Sequence, residues 1–175
     1  RIMSNMCRVC KKEYTRKTNE ESCKECRDFD KLASAVFQNE KRLKKVNLKE
    51  FPDIPALANY VKDLFNEQEG KCFYTDYEMN LPYSNPDATG SGTMCSIDRK
   101  DPRKEYSKNN IVLALSRINI MKNDIESEGD FYEICKKIKD HYEERNNHLI
   151  DINKLSDEEL LELKKRIIHE RGETK

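Results

Sequence analysis

Residues 95–124 read CSIDRKDPRKEYSKNNIVLALSRINIMKND, and their pattern decides the fold of the segment around them. Ser96, Ile97 and Asp98 make one strand-like run and Ile111, Val112 and Leu113 a second, with a charged turn around Pro102 between them. A helix carrying Asn119 and Lys122 follows. The expected unit is a β-hairpin leading into a helix, with Asp98 and Asn119 free to converge on one point. Oxygen donors converging at such a junction suit a hard divalent cation such as Mg²⁺.

Outward from this stretch, composition sets limits. The chain has 175 residues, 36% hydrophobic and 38% charged, which points to long solvated helices around a modest core. No apolar run approaches the roughly 18 residues of a membrane span, and no signal peptide is visible, so a soluble, intracellular protein of cytoplasm or nucleus is expected. The net charge of zero is unevenly spread: residues 1–50 carry 14 Lys and Arg against 8 Asp and Glu, and residues 51–150 carry 13 against 18. Residues 97–122 are a basic island, with 7 basic and 3 acidic side chains. A polyanion could be met by the N-terminal part and by this island. Elsewhere the charges read as solvated helix faces.

Towards the N-terminus, Cys7, Cys10, Cys23 and Cys26 form two CxxC pairs separated by twelve residues. Each pair can clamp one side of a tetrahedral ion, and four thiolates at this spacing make a closed structural Zn²⁺ site. The intervening KKEYTRKTNEES is too polar to fold without such a tie, so metal binding would supply most of its folding free energy. Two disulfides are the alternative, disfavoured by three further cysteines and the lack of a secretion signal. Arg8, Lys11, Lys12, Arg16, Lys17, Lys24 and Arg27 around the cluster favour contact with phosphates.

Residues 28–46 form an amphipathic helix with Phe29, Leu32, Val36 or Ala35, and Leu43 near one face. Its basic end, Lys41, Arg42, Lys44 and Lys45, suits either a helix C-terminus or a nucleic-acid backbone. NLKEFPDIP, with two prolines, reads as a connector. A second helix is expected from Pro55 to Glu69, stopped by Gly70, then a strand-like run with a turn (GKCFYTDYEMNLPY) and a flexible loop at 84–93. Cys72, Cys95 and Cys135 read as small buried apolar side chains. Residues 130–145 form another amphipathic helix, with Phe131, Ile134, Cys135, Ile138 and Tyr142 on its apolar side. The tail helix opens with a capping box, Ser156 and Glu159; its apolar stripe would pack on the domain or make a dimer seam.

These landmarks taken in order resemble the HNH endonucleases, the ββα-metal or His-Me finger family, in a branch common in phage and other viral genomes. The similar pieces are GKCFYTD, SIDRKDP, YSKNNIVLAL, RINIMKND and the Phe131-led helix, and they cover residues 70–140. A CxxC…CxxC module ahead of the nuclease is familiar in that group. The resemblance implies that Asp98 is the strand carboxylate binding the catalytic Mg²⁺ or Mn²⁺, and that Asn119 completes the protein's share of its coordination. It implies that Asn110 braces the loop and orients the base, and that Lys122 faces either the substrate phosphate or the opposing strand. One departure is plain: where better-known members have Asp-His, this chain has Asp98-Arg99. A guanidinium stays protonated and cannot be a general base, though it can clamp a phosphate and stabilise transition-state charge. Proton transfer then falls to a metal-activated water or to Asp101. His141, His148 and His169 all lie outside the hairpin.

The expected architecture is α+β: a four-cysteine zinc module at 1–27, a basic helix and connector at 28–54, a ββα-metal core at 55–150 and a C-terminal helix at 151–175. The expected function is Mg²⁺-dependent hydrolysis of phosphodiesters in double-stranded DNA, with structured RNA as the other candidate substrate. Lys41, Arg42, Lys44, Lys45 and Lys122 would contact nucleic acid, and one Zn²⁺ would be structural. The rival is a zinc-containing nucleic-acid-binding protein with an inactive HNH-like scaffold; an adaptor with no nucleic-acid role is a third reading.

Overall fold

In the computed structural model, which describes residues 4–15, 21–42, 44–88, 92–146 and 155–172, the chain forms five α-helices and two small antiparallel sheets, a mixed α+β architecture. Strands β1 (Ser4–Met6) and β2 (Glu13–Thr15) pair first, followed by helices α1 (Arg27–Arg42) and α2 (Ile54–Glu67). Then come β3 (Cys95–Arg99) and β4 (Ile111–Leu115), paired in a register that sets Asp98 opposite Val112. Helices α3 (Ser116–Lys122), α4 (Glu128–Asn146) and α5 (Asp157–Gly172) complete the chain. No helix among the described residues is long and apolar enough to cross a membrane.

Local chemistry accounts for the element ends. Helix α1 stops at Arg42, short of the expected Val46, and Lys44 beyond it takes a left-handed φ of 55°. Asp53 caps α2 by accepting a hydrogen bond from Ala56 N at 2.8 Å. Its end at Glu67 precedes two left-handed residues, Glu69 and Gly70, and a Cβ on Gly70 would sit 3.2 Å from Phe65 Cζ. The capping box of α5 forms, Ser156 N donating to Glu159 Oε2 and Glu159 N to Ser156 Oγ. In the GKCFYTDYEMNLPY stretch only isolated bridges form, Lys71 with Glu78 and Asn80 with Met94, around a tight turn at Cys72–Asp76.

Residues Arg1–Phe131 and Tyr132–Lys175 are two compact units. In the first, β4 is buried at all five positions, so its apolar run is continuous rather than alternating. Because the sheet has two strands, the far edge of β4 needs other partners. Leu113 is satisfied on both sides by the Gln68 amide, at 2.9 and 3.0 Å, and its carbonyl also accepts from Phe73 N. Leu115 N donates to Cys72 Sγ at 3.3 Å. Cys72 and Cys95 are buried, Cys72 also serving as an edge acceptor, while Cys135 is half-buried.

The core runs without a break from Cys7 and Val9 through Phe29, Phe51 and Leu57 to Leu113 and Leu115. The boundaries expected after residues 27 and 54 therefore do not divide separate cores. The NLKEFPDIP connector is packed, not loose: Phe51 is fully buried beside Tyr60, and Glu50 accepts a hydrogen bond from Lys108 N. The boundary expected at residues 150 and 151 lies outside the described residues. In the second unit, Ile134, Ile138 and Tyr142 of α4 are exposed.

Phe51→Ala tests this arrangement. Removing the ring from a closed core should lower unfolding free energy by about 3–5 kcal/mol, read from the midpoint of a denaturant titration at constant slope. A loose linker would show a change near zero.

Candidate functional site

The β1–β2 hairpin and the start of α1 bring Cys7, Cys10, Cys23 and Cys26 together, with one ligand atom from each lying within 4.8 Å of all the others. A tetrahedral Zn²⁺ with Zn–S bonds of about 2.3 Å sets its sulfurs about 3.8 Å apart, and Cys10 Sγ lies 3.7 Å from Cys23 Sγ. The donor set fits, and these four cysteines could hold a metal ion such as zinc. Supporting donors are present: Cys23 N points at Cys7 Sγ, 3.3 Å away, and Lys62 Nζ lies 3.8 Å from Cys26 Sγ. Burial raises the Cys7 thiol, but the backbone N–H groups of Cys10, Cys23 and Val9 outweigh it and hold the thiol at about 6. Burial, then Cys23 and Cys10, pushes the Cys26 thiol up instead. Loading a dication here would displace protons.

The module's basic side chains divide into two groups. Arg8, expected to meet phosphates, is committed internally: it pairs with both oxygens of Asp30, with Glu21 and with Ser34 Oγ. Arg27 lies over the Tyr83 ring at 4.7 Å. Lys11, Lys12 and Lys24 are exposed, whereas Arg16 and Lys17 lie outside the described residues.

The second site is an open cleft of about 230 Å³ at the junction of β3, its following loop and α3. Asp98, Arg99, Asn119 and Asp124 line it, together with Pro102, Tyr106, Ile120 and Asn123. The structure thus brings Asp98 and Asn119 to one place. Asn119 Nδ2 donates to Ser96 Oγ at 3.1 Å and to Ile97 O at 3.3 Å, leaving Oδ1 without a partner among the described residues. Asp98 is buried, 6% exposed, with Oδ2 taking the Tyr74 hydroxyl at 2.7 Å and the Lys122 ammonium at 3.3 Å. Its Oδ1 has no partner among the described residues.

Asn110 is absent from the cleft lining and sits behind the loop. Its Oδ1 accepts from Asp101 N at 2.9 Å, and its Nδ2 donates to Asp101 O and Glu105 O, both at 3.0 Å. One amide side chain thereby ties the ends of the turn after β3. Arg99 stacks on Tyr106, 4.9 Å from the ring centroid, and donates from Nη1 to Lys104 O. Asp101 does not share the cleft. Its carboxylate is taken up by Arg103 and Lys104, with Arg103 the main cause holding it down at about 2, which makes it a weak proton acceptor.

Lys122 is the clearest correction. Expected to contact nucleic acid, it is 0% exposed, donates to Arg99 O at 2.7 Å and pairs with Asp98. Of its two implied placements, the structure takes the strand and not the phosphate. Of the other basic residues expected to bind nucleic acid, Lys44 is exposed and Lys45 half-buried, while the side chains of Lys41 and Arg42 lie outside the described residues. Lys45 O accepts from Tyr106 N at 2.7 Å, so this basic segment is fastened beside a residue of the cleft.

Two cleft-associated groups escaped the sequence reading. Tyr74 lies 24 positions before its partner Asp98, and no periodicity links them. Asp124 ends the hairpin–helix stretch, but only the turn after α3 reveals that it lines the cleft. None of the lining residues is a histidine; His141 is exposed on α4, and the side chains of His148 and His169 lie outside the described residues. Set against models of known protein families, curated proteins and solved structures, the chain matches none.

Two measurements follow from this geometry. Purified protein should carry one zinc per chain by metal analysis, and Cys10→Ser should lose most of it and destabilise α1. Asn110→Ala, which removes three hydrogen bonds at a buried site, should cost about 1–3 kcal/mol and accelerate hydrogen exchange at Asp101 N.

Proposed function

We propose that the cleft between β3 and α3 is a ββα-metal-type centre, and that the protein is a metal-dependent endonuclease hydrolysing phosphodiester bonds of double-stranded DNA. The observation that carries this reading is the pair of oxygens without a partner among the described residues, Asp98 Oδ1 and Asn119 Oδ1, on residues lining one open cleft together with the Arg99 guanidinium. One carboxylate and one amide oxygen, with room for water and a phosphate, fit a Mg²⁺ or Mn²⁺ ion. Bound there, the cation would neutralise phosphate charge and make a nearby water more acidic.

The chain's own residues supply the rest. Tyr106 beneath Arg99 and the Lys104 carbonyl beside it fix the guanidinium at the cleft wall, where its remaining N–H groups can clamp a phosphate. Asp101 is too well paired to accept the proton of the attacking water. Asp124, exposed and with no ion pair among the described residues, is the lining carboxylate free to take it. Lys44 and Lys45, fastened next to Tyr106, would meet the backbone of the substrate, giving binding that weakens with salt.

One observation favours the rival. Asp98 already has Lys122 and Tyr74 as partners, so its charge is balanced without a cation. This is what a zinc-containing nucleic-acid-binding protein with an inactive scaffold would show.

Incubation with supercoiled plasmid separates the two. Relaxed or linear product should form with Mg²⁺ or Mn²⁺, stop with chelator, and fall roughly hundredfold or more in Asp98→Asn. Asp101→Asn should leave the pH–rate profile unchanged, while Asp124→Asn should lower the rate. Absence of cutting in any metal, with salt-sensitive DNA binding intact, selects the inactive scaffold.

A further inference from the structure

The buried carboxylate of Asp98 has two inequivalent oxygens. Oδ2 takes both donors, the Tyr74 hydroxyl at 2.7 Å and Lys122 Nζ at 3.3 Å, whereas Oδ1 takes none among the described residues. The Tyr74 donor is placed by apolar packing: its ring lies edge-on to Phe131 at 5.7 Å and to Phe73 at 5.1 Å. Lys122 is the looser hold, because its shorter contact is to Arg99 O at 2.7 Å.

We propose that Tyr74 and Lys122 are positioning residues that withhold Oδ2 of Asp98 and offer Oδ1 as a single ligand atom, so that the cleft selects a small octahedral cation, Mg²⁺ or Mn²⁺, over Ca²⁺. The inference rests on the endonuclease reading and names what that reading leaves open, the means of choosing the cation. Mg²⁺ takes six ligands at about 2.0–2.1 Å, keeps several waters and is content with one carboxylate oxygen. Ca²⁺ takes about six to eight oxygens at longer distance and gains from carboxylates that offer both. With Oδ2 engaged, the second oxygen is missing. An amide such as Asn119 contributes one oxygen only and cannot replace it.

The test reads binding, not cleavage. Zinc-loaded full-length protein is titrated with Mn²⁺ and followed by electron paramagnetic resonance, and the bound ion is then displaced with Mg²⁺ or with Ca²⁺. The parent should bind Mn²⁺ in a manner lost in Asp98→Asn, and Mg²⁺ should displace it at lower concentration than Ca²⁺. Tyr74→Phe keeps the ring packing and removes the shorter of the two contacts to Oδ2, leaving only the 3.3 Å contact of Lys122, so Ca²⁺ should gain about tenfold on Mg²⁺ as competitor. A Tyr74 that merely supports the fold would weaken both ions alike and leave the ratio unchanged, which overturns the proposal while the endonuclease reading stands. No Asp98-dependent Mn²⁺ binding in the parent overturns both.

Discussion

A lysine ammonium with no exposure to solvent has to be compensated, and in this protein the compensation of Lys122 organises everything near the cleft. Its Nζ reaches Arg99 O and Asp98 Oδ2, both on β3, from the last turn of α3. That bond fixes how far α3 stands from the strand and so where Asn119, one turn earlier, faces β3. Asp98 in turn recruits Tyr74 from the turn at Cys72–Asp76, and Tyr74 receives Phe131 at the start of α4. Three segments distant in sequence are thus held to one carboxylate. Replacing one partner of such a set leaves the other charged and unpaired in the interior, which typically costs about 3–5 kcal/mol.

The hairpin, the helix after it and the caps could be read from the chain because each is a local pattern. Strand-like runs at 96–98 and 111–113, a charged turn between them and Ser156 with Glu159 specify themselves within a few residues. Lys122 could not be placed this way, since lysine is seldom buried and the residues that follow it, Asn123 and Asp124, are polar. Tyr74 and Asp98 meet only because β3 and the 72–76 turn pack together. The prolines of the connector gave a misleading signal for a related reason. They mark where regular structure stops, but Phe51 beside them still carries a large apolar ring, and burial follows the ring.

The cysteine cluster shows a similar split. Its spacing alone placed four thiols around one point, and the structure has them there. What spacing could not show is that the module is fastened to the rest of the first unit. Asn59 of α2 donates to Val9 O, Lys62 lies against Cys26 Sγ, and Arg8 holds Asp30 of α1. Basic composition around the cluster therefore overstates the charge it can offer a partner. Arg8 spends its charge internally, and Asp28 is turned to Tyr83 N and Ser84 Oγ rather than to solvent. Among the described residues, the exposed cations that remain around the cluster are Lys11, Lys12 and Lys24.

The same accounting of charge bears on how the cleft would work. Asp98 is balanced by Lys122, and the nearby Arg99 and Asp124 carry opposite charges at its wall, so the side chains of the cleft sum close to neutral. A dication entering alone would add its full charge to a site that already holds a buried ammonium. A phosphodiester entering alone would find one guanidinium and one carboxylate. Together, cation and phosphate largely offset each other: Arg99 can pair with the phosphate, and the Asp124 carboxylate at the wall is there for the one positive charge left over. On the endonuclease reading, the two should therefore bind cooperatively, each raising the affinity for the other by the same factor. The balance that makes the resting site look complete would then weaken metal binding in the absence of substrate without abolishing it.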